Sequence, residues 1–179
     1  MLDPGVLREV VCEDVYRARH LMRGARVLDI GANVGVFAAW ALRMGAREVV
    51  AVEPGDHPSL DALPVRRVRA AVWSRAGEMC LEGGGGGARL APCREGLPRV
   101  PLVPLDDLID GPFDVCKLDV EGAEYAAVPA ATRLGLCAYI AMEFHPGPLG
   151  RLVEHLSETH SVTVLGSWRR GGYLWAHVY

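Results

Sequence analysis

Lysine, asparagine and glutamine are nearly missing from this chain of 179 residues. It holds one Lys (Lys117), one Asn (Asn33) and no Gln, while the remaining 18 of its 19 basic residues are Arg. Long apolar runs are also missing. None approaches the roughly 18 residues of a membrane-spanning helix, so no membrane partner is expected. The first residues include Asp3, Glu9, Glu13 and Asp14, unlike the basic and then apolar opening of a signal peptide, and the expected location is cytoplasmic. Positive charge is sparse: the formal net charge is −3, and the one basic cluster is Arg66-Arg67-Val68-Arg69. A phosphate backbone needs a broad positive face, so no nucleic-acid partner is expected. Five cysteines (Cys12, Cys80, Cys93, Cys116, Cys137) form no Cys-x-x-Cys pair. That removes zinc and redox motifs and leaves buried, reduced thiols as the expectation. Half the residues are hydrophobic and 23% are charged, the balance of a globular protein. The length suits one domain over 1–179, with no room for a second.

The organising stretch is Val27-Leu28-Asp29-Ile30-Gly31-Ala32-Asn33-Val34-Gly35. Arg26 to Ile30 has the length and apolarity of a buried parallel strand. Val34 to Met44 is rich in helix formers, with Asn33 as the expected N-cap and Gly45 as the stop. A strand that turns over glycines into a helix makes a nucleotide site, because the missing Cβ atoms let a ligand approach the backbone and the free helix N–H groups face it. The dinucleotide fingerprint G-x-G-x-x-G fails, since Val36 stands at the third glycine, which disfavours a nicotinamide-dependent oxidoreductase. A P-loop fails as well. The order Asp29-x-Gly31-x-Asn33-x-Gly35 instead resembles motif I of class I S-adenosylmethionine (SAM) methyltransferases. Glu53 closes the next apolar strand, Glu48 to Val52, where a carboxylate can accept both ribose hydroxyls.

Along the chain, Pro4 to Met22 reads as a helix with Asp3 as N-cap, so that residues 1–24 form an N-terminal helical segment on the core. Val65 to Val72 reads as a third strand and Trp73 to Leu81 as a small hairpin. The five glycines Gly83 to Gly87 suit either a flap or a hairpin connection. Arg99 to Pro104, with its prolines, suits an edge strand. Phe113 to Asp119 and Leu136 to Phe144 are further buried strands, and Leu149 to Thr159 is an amphipathic helix. Ser161 to Leu165 and Gly172 to Tyr179 make a terminal hairpin. The expected architecture is α/β: a doubly wound, mostly parallel sheet with a C-terminal antiparallel hairpin. Ligands bind such sheets beyond the carboxyl ends of the strands, which puts Gly31 to Gly35, Glu53, Asp119 to Glu121 and Glu143 to His145 along one rim.

The motif-I stretch, Glu53-Pro54, Leu105-Asp106-Asp107-Leu108, Lys117-Leu118-Asp119-Val120-Glu121-Gly122-Ala123-Glu124 and Glu143-Phe144-His145-Pro146 together resemble the FkbM family of SAM-dependent methyltransferases. The resemblance covers roughly Ala25 to Pro146. It implies a Rossmann-like fold, SAM as cofactor, and O-methylation of a hydroxyl on a small molecule, sugar or secondary metabolite. The chain is short for the family, which leaves a second copy, a partner protein or a large substrate to close the site.

The expected cofactor contacts are Asp29, Gly31, Ala32, Asn33, Gly35, Glu53, Ala71, Val72 and Asp119, with Trp73 able to shield the adenine ring. The catalytic candidates are His145, Asp119 and Glu121. His145 leads as general base because the ordinary histidine pKa lies near neutrality. An amine or peptide acceptor would instead have its ammonium held by these carboxylates. Asp119, Glu121, Glu143 and His145 also include types that hold a divalent ion, but no spacing specifies a metal site. Other readings remain: a buried Lys117–Glu143 ion pair, an exposed Glu124, and a SAM-binding module without catalysis.

Overall fold

The structure, a computed structural model, describes residues 4–179; the N-cap expected at Asp3 lies outside them. Strands β1 (Arg26–Ile30), β2 (Glu48–Val52), β3 (Arg66–Val68), β4 (Ala71–Val72), β5 (Gly77–Glu82), β6 (Arg89–Ala91), β7 (Arg99–Val103), β8 (Phe113–Leu118), β9 (Cys137–Phe144), β10 (His160–Ser167) and β11 (Gly171–Val178) alternate with helices α1 (Pro4–Leu7), α2 (Val36–Arg43), α3 (Pro58–Asp61), α4 (Leu105–Leu108), α5 (Glu124–Ala127) and α6 (Leu149–Leu156). Seven strands form the main sheet in the order β10-β11-β9-β8-β1-β2-β3. The run from β9 to β3 is parallel, and β11 inserts antiparallel between β9 and β10. This is the expected parallel-dominated α/β sheet with its terminal hairpin.

Side-chain alternation divides the core between the two faces. Leu28, Ile30, Cys116, Leu118, Ile140 and Met142 point to a face covered by α4, α5 and α6. Leu152 and Leu156 of α6 are fully buried there, each worth about 1.5–3 kcal/mol of burial. Val27, Val115, Tyr139 and Ala141 point to the other face, under α2, α3 and the N-terminal segment. That second face also receives Asp29, Lys117 and Glu143, the in-phase residues of the same strands.

Several expectations need correction. The N-terminal helix ends far short of Met22: α1 passes into a π turn at Arg8–Glu13, and Asp14 then adopts a left-handed conformation, φ 48°. The Asp14 carboxylate accepts from Ala18 N at 3.2 Å, fixing the bend. The rest of the segment packs on the core through Tyr16, Ala18 and Met22. α2 starts at Val36 after Gly35, φ 91°, and no side chain caps it; Asn33 is left-handed at φ 49° and part of the turn. The third strand breaks after Val68. β3 stays in the main sheet, while β4 joins a second sheet in the order β4-β7-β5-β6. β4 and β5 therefore do not pair as a hairpin, because β7 lies between them, and β7 is internal where an edge was expected. The glycine run connects β5 to β6 in an antiparallel hairpin.

The cysteine expectation also fails. Cys80–Cys93 and Cys116–Cys137 are disulfides, with Cα separations of 4.8 and 6.0 Å, inside the range a disulfide spans. Spacing along the chain hides these pairs, since only the β8–β9 pairing and the end of the β5–β6 hairpin bring them together. Among the described residues no helix is long and apolar enough to cross a membrane. Alkylation of the unreduced protein followed by peptide mass spectrometry is expected to label the exposed Cys12 alone. Label on all five thiols without reductant would overturn the pairing.

Candidate active site

The carboxyl ends of β1, β2 and β8 create the site. Register places Ile30 beside Val52 and Leu118, so the residues after each strand meet at one point. Gly31 N and Ala32 N donate to Val52 O at 2.9 and 3.1 Å, and Asp119 N donates to Ile30 O at 3.0 Å. Gly31 has φ +76°, and a Cβ there would fall on the backbone carbonyl of Asp119. Glycine is thus required twice over, by conformation and by space.

Glu53 sits beside this turn. Its Oε2 accepts from Asn33 N at 3.0 Å and its Oε1 from Gly55 N at 2.8 Å, while Arg67 clamps the Glu53 and Gly55 carbonyls at 2.6 and 2.7 Å. Each carboxylate oxygen has two lone-pair directions, so one on each remains for a ligand hydroxyl. Glu53 lines a cleft together with Gly31, Asn33 and the apolar Val52, Ala71, Val72, Leu81 and Leu90. Those features fit an adenosyl group: a diol acceptor at the rim and apolar walls for a ring.

A second cavity shares Gly31, Asn33, Gly86, Asp119 and Glu121 with the first. It adds Glu9, Tyr16, Phe37, Lys117 and Glu143 from the face under the N-terminal segment. Gly86, at the tip of the β5–β6 hairpin, stands over both.

Beneath the glycine turn lies a buried ion pair. Lys117 Nζ is 3.2 Å from Asp29 Oδ1 and 3.8 Å from Asp119 Oδ2, and it donates to Gly31 O at 2.7 Å. Neither Asp29 oxygen receives an aligned hydrogen bond, so charge rather than directed bonding holds it. Burial raises the Asp29 carboxyl and Lys117 pulls it back. Burial opposes the Lys117 charge, but Asp29 and Asp119 outweigh it and the net shift is upward. Removing the charge of one partner alone would strand the other in the interior.

Behind the second cavity, Glu124 is fully buried, correcting the exposed reading. It accepts from Gly122 N at 2.9 Å and His145 N at 2.7 Å, and faces His145 Nδ1 at 3.2 Å. His145 Nε2 lies 3.2 Å from Glu121. These contacts, Glu124 foremost, raise His145 to about 9. The ring is an imidazolium at neutral pH, and it lines neither cavity. His145 therefore does not suit the role of general base and instead holds Glu121 and Glu124. Asp119, Glu121 and His145 bring ligand atoms within 4.8 Å of one another, a donor set that fits a divalent ion when the imidazole is neutral.

Glu143 is the residue that sequence reasoning undervalued. It was expected on the rim and as a partner of Lys117, which instead pairs with Asp29. Burial, with Asp119 adding, lifts its carboxyl to about 7. Tyr16, the other omission, donates to Asp119 Oδ2 at 3.3 Å, and burial and Asp119 keep its phenol neutral. No local motif marks Tyr16, which reaches the site because the segment bends at Asp14.

Of the remaining expected contacts, Ala71 and Val72 line the cleft, Asp119 lines both cavities, and Ala32 lines the second. Asp29 lies under the turn and touches neither. Gly35 touches neither as well; a Cβ there would crowd Leu60 and Leu63, so it serves packing between α2 and α3. Trp73 packs with the second sheet and does not reach the cleft. Leu81, Gly86 and Leu90 went unnoticed apart from the glycine run.

No protein-family model matches the sequence. Over 39 residues, 22% of this chain, it is 49% identical to protein arginine N-methyltransferase PRMT10 of Oryza sativa subsp. japonica, a stretch that is 10% of that protein. Among solved structures, the fold resembles magnesium protoporphyrin IX methyltransferase from Synechocystis PCC 6803 with bound SAM (TM-score 0.57, 14% identity, 98% of this chain and 79% of that one). It also resembles a candidate rRNA methylase from Clostridium thermocellum (TM-score 0.61, 10% identity, 93% of each chain). The fold is the one these methyltransferases share.

Removing one member of the buried pair leaves a charge uncompensated. Lys117→Met is expected to cost about 3–5 kcal/mol, read as a fall in Tm of order 10 °C. The double variant Asp29→Asn/Lys117→Met is expected to recover much of that loss; equal Tm values for the single and double variants would refute the pairing.

Proposed function

We propose that this protein is a SAM-dependent methyltransferase. The observation that carries the reading is the junction of two cavities at Gly31, Asn33, Asp119 and Glu121: one has the diol acceptor and apolar walls of a nucleoside site, and the other has ionisable side chains for an acceptor. Two finer expectations divide on the acceptor: the sequence blocks favour the FkbM family with O-methylation of a small-molecule or sugar hydroxyl, and the acidic lining of the second cavity favours an amine.

Bound SAM would supply a methyl group on a sulfonium, whose thioether leaves without protonation. The protein's part is positioning, which contributes most when the reacting atoms are held in line, and proton removal from the acceptor. Glu53 would hold the ribose hydroxyls of the bound cofactor, and Val52, Val72, Leu81 and Leu90 would keep water from its ring. Glu143 takes the acceptor's proton: its carboxyl at about 7 is poised between acceptor and donor of protons at neutral pH. Tyr16, bonded to Asp119, and the imidazolium of His145, bonded to Glu121, hold the two carboxylates shared by both cavities. A non-catalytic SAM-binding module is the rival reading, and the acceptor-side cavity with a base in it speaks for catalysis.

Calorimetric titration with S-adenosylhomocysteine is expected to show binding to wild-type protein that weakens about tenfold or more in Glu53→Ala, roughly 1.4 kcal/mol. Failure of the wild type to bind would sink the reading. With SAM present, turnover is expected to rise with pH through about 7 as Glu143 ionises, and to decline above about 9 as His145 loses its proton. Glu143→Gln is expected to lose about 10²–10⁴-fold in kcat, the usual worth of a general base, and to lose the rising limb. An unchanged profile in that variant would remove Glu143 from the mechanism.

A further inference from the structure

The second cavity has a strong charge bias. Glu9, Asp119, Glu121 and Glu143 line it against a single cation, Lys117, and that ammonium is already shared by Asp29, Asp119 and the Gly31 carbonyl. The His145 imidazolium behind it is engaged by Glu121 and Glu124. Among the described residues, neither Glu9 nor Glu143 is ion-paired. Tyr16 and Phe37 also line the cavity, their rings edge-to-face with centroids 5.4 Å apart; the Tyr16 hydroxyl bonds Asp119, and Lys117 Nζ stands 5.7 Å from the Tyr16 ring centroid. Val6, Val10 and Val36 complete an apolar wall.

Carboxylates beside an apolar wall suit a cation with an apolar body. The charge lowers the repulsion among the acids, and the body covers the wall. An anionic acceptor would be repelled, and a neutral alcohol would leave the acids uncompensated. We infer that the acceptor is an amine with an apolar body, its ammonium bound among Glu143, Glu121 and Glu9 and its body against the apolar wall of Val6, Val10 and Val36. This rests on the methyltransferase reading above.

The chemistry balances without a further reactant. The ammonium gives a proton to the Glu143 carboxylate, and the freed nitrogen lone pair forms the new C–N bond to the methyl carbon. The C–S bond breaks with its electron pair going to sulfur, leaving S-adenosylhomocysteine and a methylated ammonium. The proton on Glu143 passes to solvent.

The test uses the whole protein saturated with S-adenosylhomocysteine, and titrates hexylamine and its neutral counterpart hexan-1-ol by calorimetry. Hexylamine is expected to bind about tenfold or more tightly than hexan-1-ol, with an affinity that falls as salt rises. Glu9→Gln, on the exposed rim, is expected to weaken hexylamine several-fold and leave S-adenosylhomocysteine binding unchanged. Equal or tighter binding of the alcohol, or hexylamine affinity indifferent to salt and to Glu9→Gln, would overturn the ammonium while the methyltransferase reading stands. Methyl transfer to an arginine-containing peptide with no affinity for hexylamine would overturn it in favour of a guanidinium. No binding of S-adenosylhomocysteine at all would remove both readings together.

Discussion

One buried ammonium supports the whole site. Lys117 reaches from β8 beneath the neighbouring strand β1, meets the Asp29 carboxylate at 3.2 Å and bonds the Gly31 carbonyl at 2.7 Å. It also approaches Asp119, the residue that both cavities share. The glycine turn, the end of β8 and the acid at the junction are thereby tied to one charge. Its side chain is 4% exposed and that of Asp29 0%, so water screens the interaction little. An Arg-rich chain that places its one Lys here uses a compact ammonium where a guanidinium fork would need more space and more acceptors.

Around that pair the carboxylates take different roles according to what surrounds them. Glu53 accepts two backbone N–H groups and keeps its remaining lone pairs toward the cleft. Glu124 is fully enclosed and holds His145. Glu143, short of partners and half-buried, is lifted to about 7. Environments that push like groups apart in acidity are how one rim can offer a ligand-holding acid, a structural acid and a base.

The second sheet and the bent N-terminal segment wall the strand-end rim. The β5–β6 hairpin brings Leu81, Gly86 and Leu90 over the cleft, and its glycine tip approaches Asn33 without side chains in the way. The segment around Glu9 to Tyr16 lines the second cavity. Both elements lie outside the central sheet.

What the sequence determined by itself is local and periodic. Apolar runs ending in Gly31, Glu53, Asp119 and Glu143 specified parallel strands with polar ends, and hence the α/β sheet and its functional rim. Periodicity and turn chemistry act over a few residues, so they are legible without coordinates. Tertiary structure decided which polar residues meet. Lys117 chose Asp29 over Glu143 because β8 lies next to β1 in register, and β7 separated β4 from β5. Cys116 met Cys137 through the pairing of β8 with β9. Acidities were decided there too: the His145 imidazole is raised to about 9 because folding set Glu121 and Glu124 against its two ring nitrogens, and the Glu143 carboxyl to about 7 because folding buried it. Acidity depends on neighbours distant in the chain, and no reading of adjacent residues supplies them.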